Sequence, residues 1–164
     1  PIEQGVVWLS DTPGVPDSRS WGNRLPRYVT WALFYDNAGP CHLFVANVHL
    51  DHVSHYVNER AVDVIERLLL DEADDCPIVL AGDFNAVPGS SVRHRLDRLL
   101  RPALAWRDGP THLNFPRLQI DGIYTSDDVR VERAWIDVDA AADVGSDHAA
   151  VVAEILIPPT LNDE

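Results

Sequence analysis

The chain contains no lysine and no methionine. Its 13 basic positions are all arginine, set against 26 Asp and Glu, for a formal net charge of -13. So acidic a surface repels a phosphate backbone and forgoes the counterion release that drives ordinary nucleic-acid binding. A nucleic-acid ligand then needs a bound cation or a local arginine cluster. With no initiator methionine, the chain reads as starting after processing or truncation. No run approaches the ~20 apolar residues of a membrane span, and no signal peptide opens it, which favours the cytoplasm. Cys41 and Cys76 are too few for a disulfide framework; they are expected as unbridged, partly buried thiols. No Ser or Cys sits in a nucleophile elbow. No Cys/His group has zinc spacing, and no glycine-rich phosphate loop is present. Those absences disfavour a serine or cysteine hydrolase. At 164 residues, positions 1–164 read as one domain with a sizeable core.

What is present is organised around Pro77 to Pro88. Ile78-Val79-Leu80-Ala81 is a short apolar run, read as a strand buried on both faces. Gly82 ends it, and Asp83 and Asn85 follow two apart, on one side of an extended chain. Upstream, residues 5–9, 28–35 and 41–50 read as strands, the last two a hairpin around a turn at 36–40. Ser10 to Asn23 is a loop long enough to be functional or disordered. Ser54 caps a helix whose Val57, Ala61, Val64, Ile65 and Leu68 face inward, while Asn58, Glu59, Asp63 and Glu66 face out. Residues 90–100 form a shorter helix with Val92, Leu96 and Leu99 inward and Arg93, Arg95 and Arg98 mostly wet. Leu118 to Tyr124 is a strand with Asp121 inside it, costly there unless paired or metal-bound. Residues 129–138 and 149–157 are further strands, and 158–164 a tail. Strand-helix-strand order implies sheet strands with helices outside.

Four strand junctions carry polar cargo: His49, Asp83 with Asn85, Asp121, and Asp147 with His148. If the strands lie side by side, their ends form one acidic, imidazole-lined pocket. Carboxylate oxygens are hard ligands suited to Mg²⁺ or Mn²⁺, and His and Asp move protons. Metal-assisted hydrolysis of a phosphate ester uses these groups together.

Asn47-Val48-His49-Leu50, Gly82-Asp83-Phe84-Asn85, Ile120-Asp121-Gly122-Ile123-Tyr124 and Gly145-Ser146-Asp147-His148 resemble four ordered motifs of the endonuclease/exonuclease/phosphatase superfamily. The resemblance runs from about Val7 to Ile157. It implies an α+β fold, the four-layer α/β/β/α sandwich of the deoxyribonuclease I-like type, here lacking its first strands. It implies a metal-dependent phosphoesterase, a nuclease or phosphatase using Mg²⁺ or Mn²⁺. It gives Asp83 the task of orienting or deprotonating water, with Asn85 holding the water or a phosphate oxygen. His148 would bind the phosphate or relay a proton, and Asp121 would fix its tautomer. His49 would contact the scissile phosphate or aid the leaving group. Asp147 would hold the metal, and Arg27, His52 and His112 would touch substrate.

The chain departs from the pattern in two ways. Gly122 stands where the family usually has a larger residue, often Tyr or His. Family domains run to about 250 residues, an ordinary single-domain size, and open with an Asn-bearing strand and a Gln-Glu whose Glu is the main metal ligand. Nothing before Val7 matches these, so the chain reads as the last two-thirds of the domain. Low metal affinity, weak turnover and an exposed sheet edge open to pairing are then expected. The alternative is a non-catalytic remnant or binding module. A small phosphoester or lipid head group suits the acidic chain better than duplex nucleic acid.

Acidity without lysine has two origins: adaptation to a high-salt interior, where self-repulsion is screened, or arginine-favouring codons. Salt adaptation predicts a melting temperature that climbs with KCl. A chain most stable in dilute buffer points to codon usage instead.

Overall fold

Three neighbouring strands end level with one another, and this places the site. In the computed structural model, which describes residues 1–36, 41–73, 75–105, 108–114 and 116–157, eleven elements follow in order. They are β1 (Glu3–Trp8), β2 (Tyr28–Asp36), β3 (Cys41–His49), α1 (His55–Glu72), β4 (Ile78–Asp83) and α2 (Ser91–Leu99), then β5 (Arg101–Pro102), β6 (Asp121–Thr125), β7 (Arg130–Asp137), α3 (Val138–Val144) and β8 (Ala150–Leu156). The first sheet has six strands in the order β1-β2-β3-β4-β6-β5, and β7 and β8 pair as a separate antiparallel ribbon. Only β3 and β4 run parallel, with α1 as their crossover. Residues 37–40, where a turn was expected, the Cys41 side chain and the tail at 158–164 lie outside the described residues.

Alternation explains which face is covered. Phe44, Ala46 and Val48 of β3 are buried, while Asn47 and His49 are exposed. The buried set joins Ile65 and Leu68 of α1, Leu80 of β4, Val92 and Leu96 of α2 and Tyr124 of β6 in one core. β4 is less enclosed than its apolar run suggests: Leu80 is buried, but its neighbours are half-buried. One face packs on the helices, and the other opens toward the site. Ser54 caps α1 through its side-chain oxygen, as the sequence implies, and Ser90 caps α2 in the same way. Among the described residues no helix is long and apolar enough to cross a membrane.

Gly82 is the one position in β4 that tolerates no side chain. A Cβ there would lie 1.9 Å from the Val48 carbonyl oxygen, and its φ of +147° is a conformation that residues with a Cβ rarely adopt. The close parallel approach of β3 therefore requires glycine.

Two expectations about local structure change, and one helix is added: α3 follows β7. Asp121 opens β6 rather than lying within it. Asn58, expected to face solvent, is 2% exposed. Its Oδ1 accepts from the Asp51 N–H at 2.8 Å, and its Nδ2 donates to the Asp51 carbonyl at 2.7 Å. The amide thus replaces a ladder partner for a backbone leaving the sheet, which is why a polar residue is buried here. Asp51 in turn accepts from the N–H groups of Val53 and Ser54 at 2.9 and 2.8 Å. Replacing Asn58 by Ala strands two buried backbone groups. An N58A variant should lose about 2–4 kcal/mol in urea unfolding. A loss below ~0.5 kcal/mol would mean that water or relaxation satisfies those groups.

Candidate active site

The level strand ends follow from register. His49 pairs with Asp83 across the parallel β3–β4 ladder, and Asp83 pairs with Asp121 across β4–β6. A cleft of about 390 Å³ opens over these ends, lined by Asn47, His49, Asp83, Asp121 and Ala149 among others. His49 Nε2 lies 3.5 Å from Asp83 Oδ2.

Asp83 and Asn85 meet, though not through the extended chain that their spacing suggested. The strand stops at Asp83, and Asn85 has φ +45°. Asn tolerates this region because its side chain bonds locally. The Asn85 N–H donates to Asp83 Oδ1 at 2.8 Å, and Asn85 Nδ2 donates to the Leu50 carbonyl at 3.0 Å and to Asp83 Oδ2 at 3.3 Å. The turn after β4 is thereby tied to the turn after β3.

His148, just ahead of β8, reaches Asp121: Nδ1 and Oδ2 are 2.8 Å apart. An ionised carboxylate only accepts, so Nδ1 carries the proton and Nε2 is left for a ligand. Burial pulls the His148 pKa down, but the hydrogen bond and charge of Asp121, helped by Asp83 and Asp147, outweigh it, and the net shift is upward. Asp83 is also raised, first by burial and then by Asp121, against the pull of the Asn85 N–H. His49 is lowered by burial and by the Arg27 charge, despite Asp83. The three groups are thus set apart: a carboxylate with raised proton affinity, an imidazole that favours its charged form and one that favours its neutral form.

The remaining candidates form two flanks. Arg27 Nη2 is 3.1 Å from His52 Nδ1, and both border the His49 side. With Asn47, His49 and Thr30, Arg27 lines a smaller cavity of about 160 Å³. On the other flank His112 Nε2 lies 3.7 Å from Asp147 Oδ2, and the His112 and His148 rings meet edge to face at 5.0 Å. Asn114 Nδ2 also donates to Asp147 Oδ2, at 3.3 Å.

A divalent cation fits this donor chemistry. Ligand atoms of Asp83, Asp121 and His148 lie within 4.8 Å of one another, as do those of His112, Asp147 and His148. Asp147 belongs only to the second group, and His148 bridges the two. The carboxylate-rich set suits a hard cation.

Arg93 is the residue that periodicity misplaced. It was assigned to the wet face of α2 but is 5% exposed. Its guanidinium lies 4.6 Å from the Phe84 ring centre and donates to the Asp121 carbonyl at 3.1 Å. Room for it comes from Gly122, where a Cβ would sit 3.1 Å from Nη1. Gly122, which departs from the expected pattern, was the available signal. Arg60 lies over the Trp21 ring, at 5.4 Å from its centre.

A mixed sheet backed by helices, with Asp, Asn and His gathered at its strand ends, is an α+β fold of the deoxyribonuclease I-like type. Residues 3–148 match the profile of the Endonuclease/Exonuclease/phosphatase family, and the chain belongs to that family. Solved structures agree. A functionally unknown conserved protein from Enterococcus faecalis is 29% identical with a TM-score of 0.84, over 96% of this chain and 66% of that one. A mannosyl-6-phosphatase from Bacteroides thetaiotaomicron is 24% identical with a TM-score of 0.80, over 95% and 66%. The 2',3'-cyclic phosphatase ANGEL2 is 14% identical with a TM-score of 0.73, over 93% and 66%. The chain therefore spans just under two thirds of the length of these structures. No curated protein sequence matches it. The family is generally dependent on divalent metals, and the acidic and histidine groups above are of the kind that hold one.

The Asp121–His148 bond has a sign that can be checked. A histidine whose folded pKa exceeds its unfolded one adds stability that is complete below the unfolded value, near 6.5, and is lost as pH rises through the folded value. In D121N the raising partner is gone while burial remains. The His148 pKa, followed by NMR titration, should fall to or below that of an ordinary imidazole, and the added stability at acidic pH should vanish. An unmoved titration would mean that Asp121 does not hold the ring in solution.

Proposed function

We propose that this chain is a Mg²⁺- or Mn²⁺-dependent phosphoesterase that hydrolyses its substrate with an activated water. The observation that carries the reading is that Asp83, tied to Asn85, and Asp121, paired with His148, line one cleft with His49. A phosphoryl group in that cleft would meet His148 Nε2, which stabilises developing negative charge on a phosphate oxygen. Asp83 orients the attacking water and accepts its proton, a task that its raised pKa favours. Asn85 Nδ2 is spent on Leu50 and Asp83, so Asn85 contributes through Oδ1. Asp121 positions His148 and fixes its tautomer. His49 and Arg27 contact the phosphate or leaving group from one flank, with His52 behind Arg27; Asp147, beside His112 on the other flank, holds the metal. A bound divalent cation would supply charge neutralisation at the phosphate oxygens and polarise the P–O bond.

The acidic chain argues for a small phosphoester or lipid head group over duplex nucleic acid at low salt. The Bacteroides structure described as a mannosyl-6-phosphatase points the same way. The test is hydrolysis of p-nitrophenyl phosphate and bis-p-nitrophenyl phosphate with Mg²⁺, Mn²⁺ or EDTA, at low and high salt. Metal-dependent turnover is expected, slow for the 164-residue chain, and lost in D83N and H148A. D83N should stay folded and be no less stable at neutral pH. A raised carboxyl pKa stabilises the fold only while protonated, and that contribution is lost as pH rises through the folded value. A folded wild-type chain with no turnover, and no rise in melting temperature with Mg²⁺, would instead establish a non-catalytic member of the family.

A further inference from the structure

Asp121 opens β6 and His148 lies just ahead of β8, and among the described residues no continuous ladder joins these two strands, which belong to different sheets. Their spacing must come from elsewhere. It comes from the segment around Thr111, between β5 and β6.

Thr111 is 0% exposed. Its Oγ1 accepts two backbone hydrogen bonds, from the Ile120 N–H at 3.0 Å and the Asp121 N–H at 2.9 Å. Its carbonyl accepts from the Ala149 N–H at 2.7 Å, one residue beyond His148. Its own N–H donates to the Leu118 carbonyl at 2.9 Å, and Leu113 N–H donates to the Asp147 carbonyl at 2.8 Å. One side chain therefore holds the backbone of Asp121, while the main chain of the same residue holds the backbone beside His148. A buried N–H without an acceptor is costly. Removing Oγ1 would leave two of them at the base of Asp121, and the strand start would have to move to satisfy them.

We propose that Thr111 is a positioning residue, a clamp whose hydroxyl and carbonyl together set the Asp121–His148 hydrogen bond. It touches no substrate and acts through the pair. Its effect on turnover rests on the phosphoesterase reading; its effect on geometry does not.

The discriminating substitutions are Thr111→Val, which keeps the shape and loses the acceptor, and Thr111→Ser, which keeps the acceptor. The direct readout is the His148 Nδ1 proton in ¹H–¹⁵N NMR, assigned by its absence in D121N and H148A, with thermal melting to confirm folding. T111V should lose or broadly shift that resonance, and T111S should retain it. In the hydrolysis assay, T111V should lower kcat by about 100-fold with KM little changed, and T111S should stay near wild type. T111A, which also lacks the acceptor, serves if T111V does not fold. The clamp is overturned if T111V keeps both the resonance and wild-type kcat. It is also overturned if T111S loses the resonance as T111V does, because the hydroxyl is then not what matters. If wild type shows no turnover while T111V still loses the resonance and T111S keeps it, the clamp stands and the phosphoesterase reading fails.

Discussion

The site depends on one close approach, that of Gly82 to the Val48 carbonyl. Parallel strands cannot be joined by a tight turn, so β3 and β4 meet through α1, and their relative register is free until packing fixes it. Here it is fixed with backbone against backbone, at a distance that excludes any Cβ. That pairing puts His49 beside Asp83, and the antiparallel step to β6 puts Asp83 beside Asp121. A one-residue slip of β4 would turn Asp83 onto the helix-covered face. The Leu50–Asp83 and Asn85–Leu50 hydrogen bonds then join the two turns beyond the ladder. The geometry of the site is thus set first by the backbone, and the side chains inherit it.

Electrostatics divides the work among groups of similar type. Two carboxylates and two imidazoles lie close together, and the proton affinities of Asp83, His148 and His49 are not all pushed the same way. Asp83 is raised by burial and by the neighbouring Asp121. Asp121 is paired with His148, which rises, whereas His49, near Arg27, falls. Such separation lets groups of one chemical type take different proton-transfer roles. It also has a structural cost: an ionised Asp83 with raised proton affinity is a destabilised group, of the kind tolerated at functional sites.

Much of this was legible because the chemistry sits at strand ends. Apolar runs followed by Asp, Asn or His locate β3 and β4, and the ordered motifs locate the family. Periodicity failed where a polar side chain serves buried backbone. Asn58 and Arg93 both occupy positions that helical spacing marks as outward, and both are drawn in by unsatisfied carbonyls, of Asp51 and Asp121. Thr111 carried no periodic signal at all, since its partners come from strands that the sequence does not show to be adjacent. The Asp83–Asn85 contact was anticipated for the wrong reason, as an extended pair instead of a turn with positive φ. Long-range hydrogen bonding of this sort leaves no mark in composition or spacing.

The arginines place the remaining constraint on the substrate. Several of them are spent on acids at the surface: Arg60 and Arg95 on Asp63, Arg130 on Glu132, and Arg133 on Glu154. Arg27 and Arg93, which lie at the site, have no carboxylate within ion-pair distance among the described residues, and the Nε of each is buried without a partner. In a chain of net charge -13, cations left unpaired in this way hold local positive potential where the global field is negative. Arg93 is walled in by Phe84 and Tyr124, so its charge acts through the backbone of Asp121. Arg27 borders an open cavity beside His49. Far from the molecule the net charge discourages polyanions, while Arg27 offers a cation beside His49. On the phosphoesterase reading proposed above, that combination would favour a compact phosphoester over a long nucleic-acid strand, because a small anion can reach the arginine without also lying against the acidic surface around it.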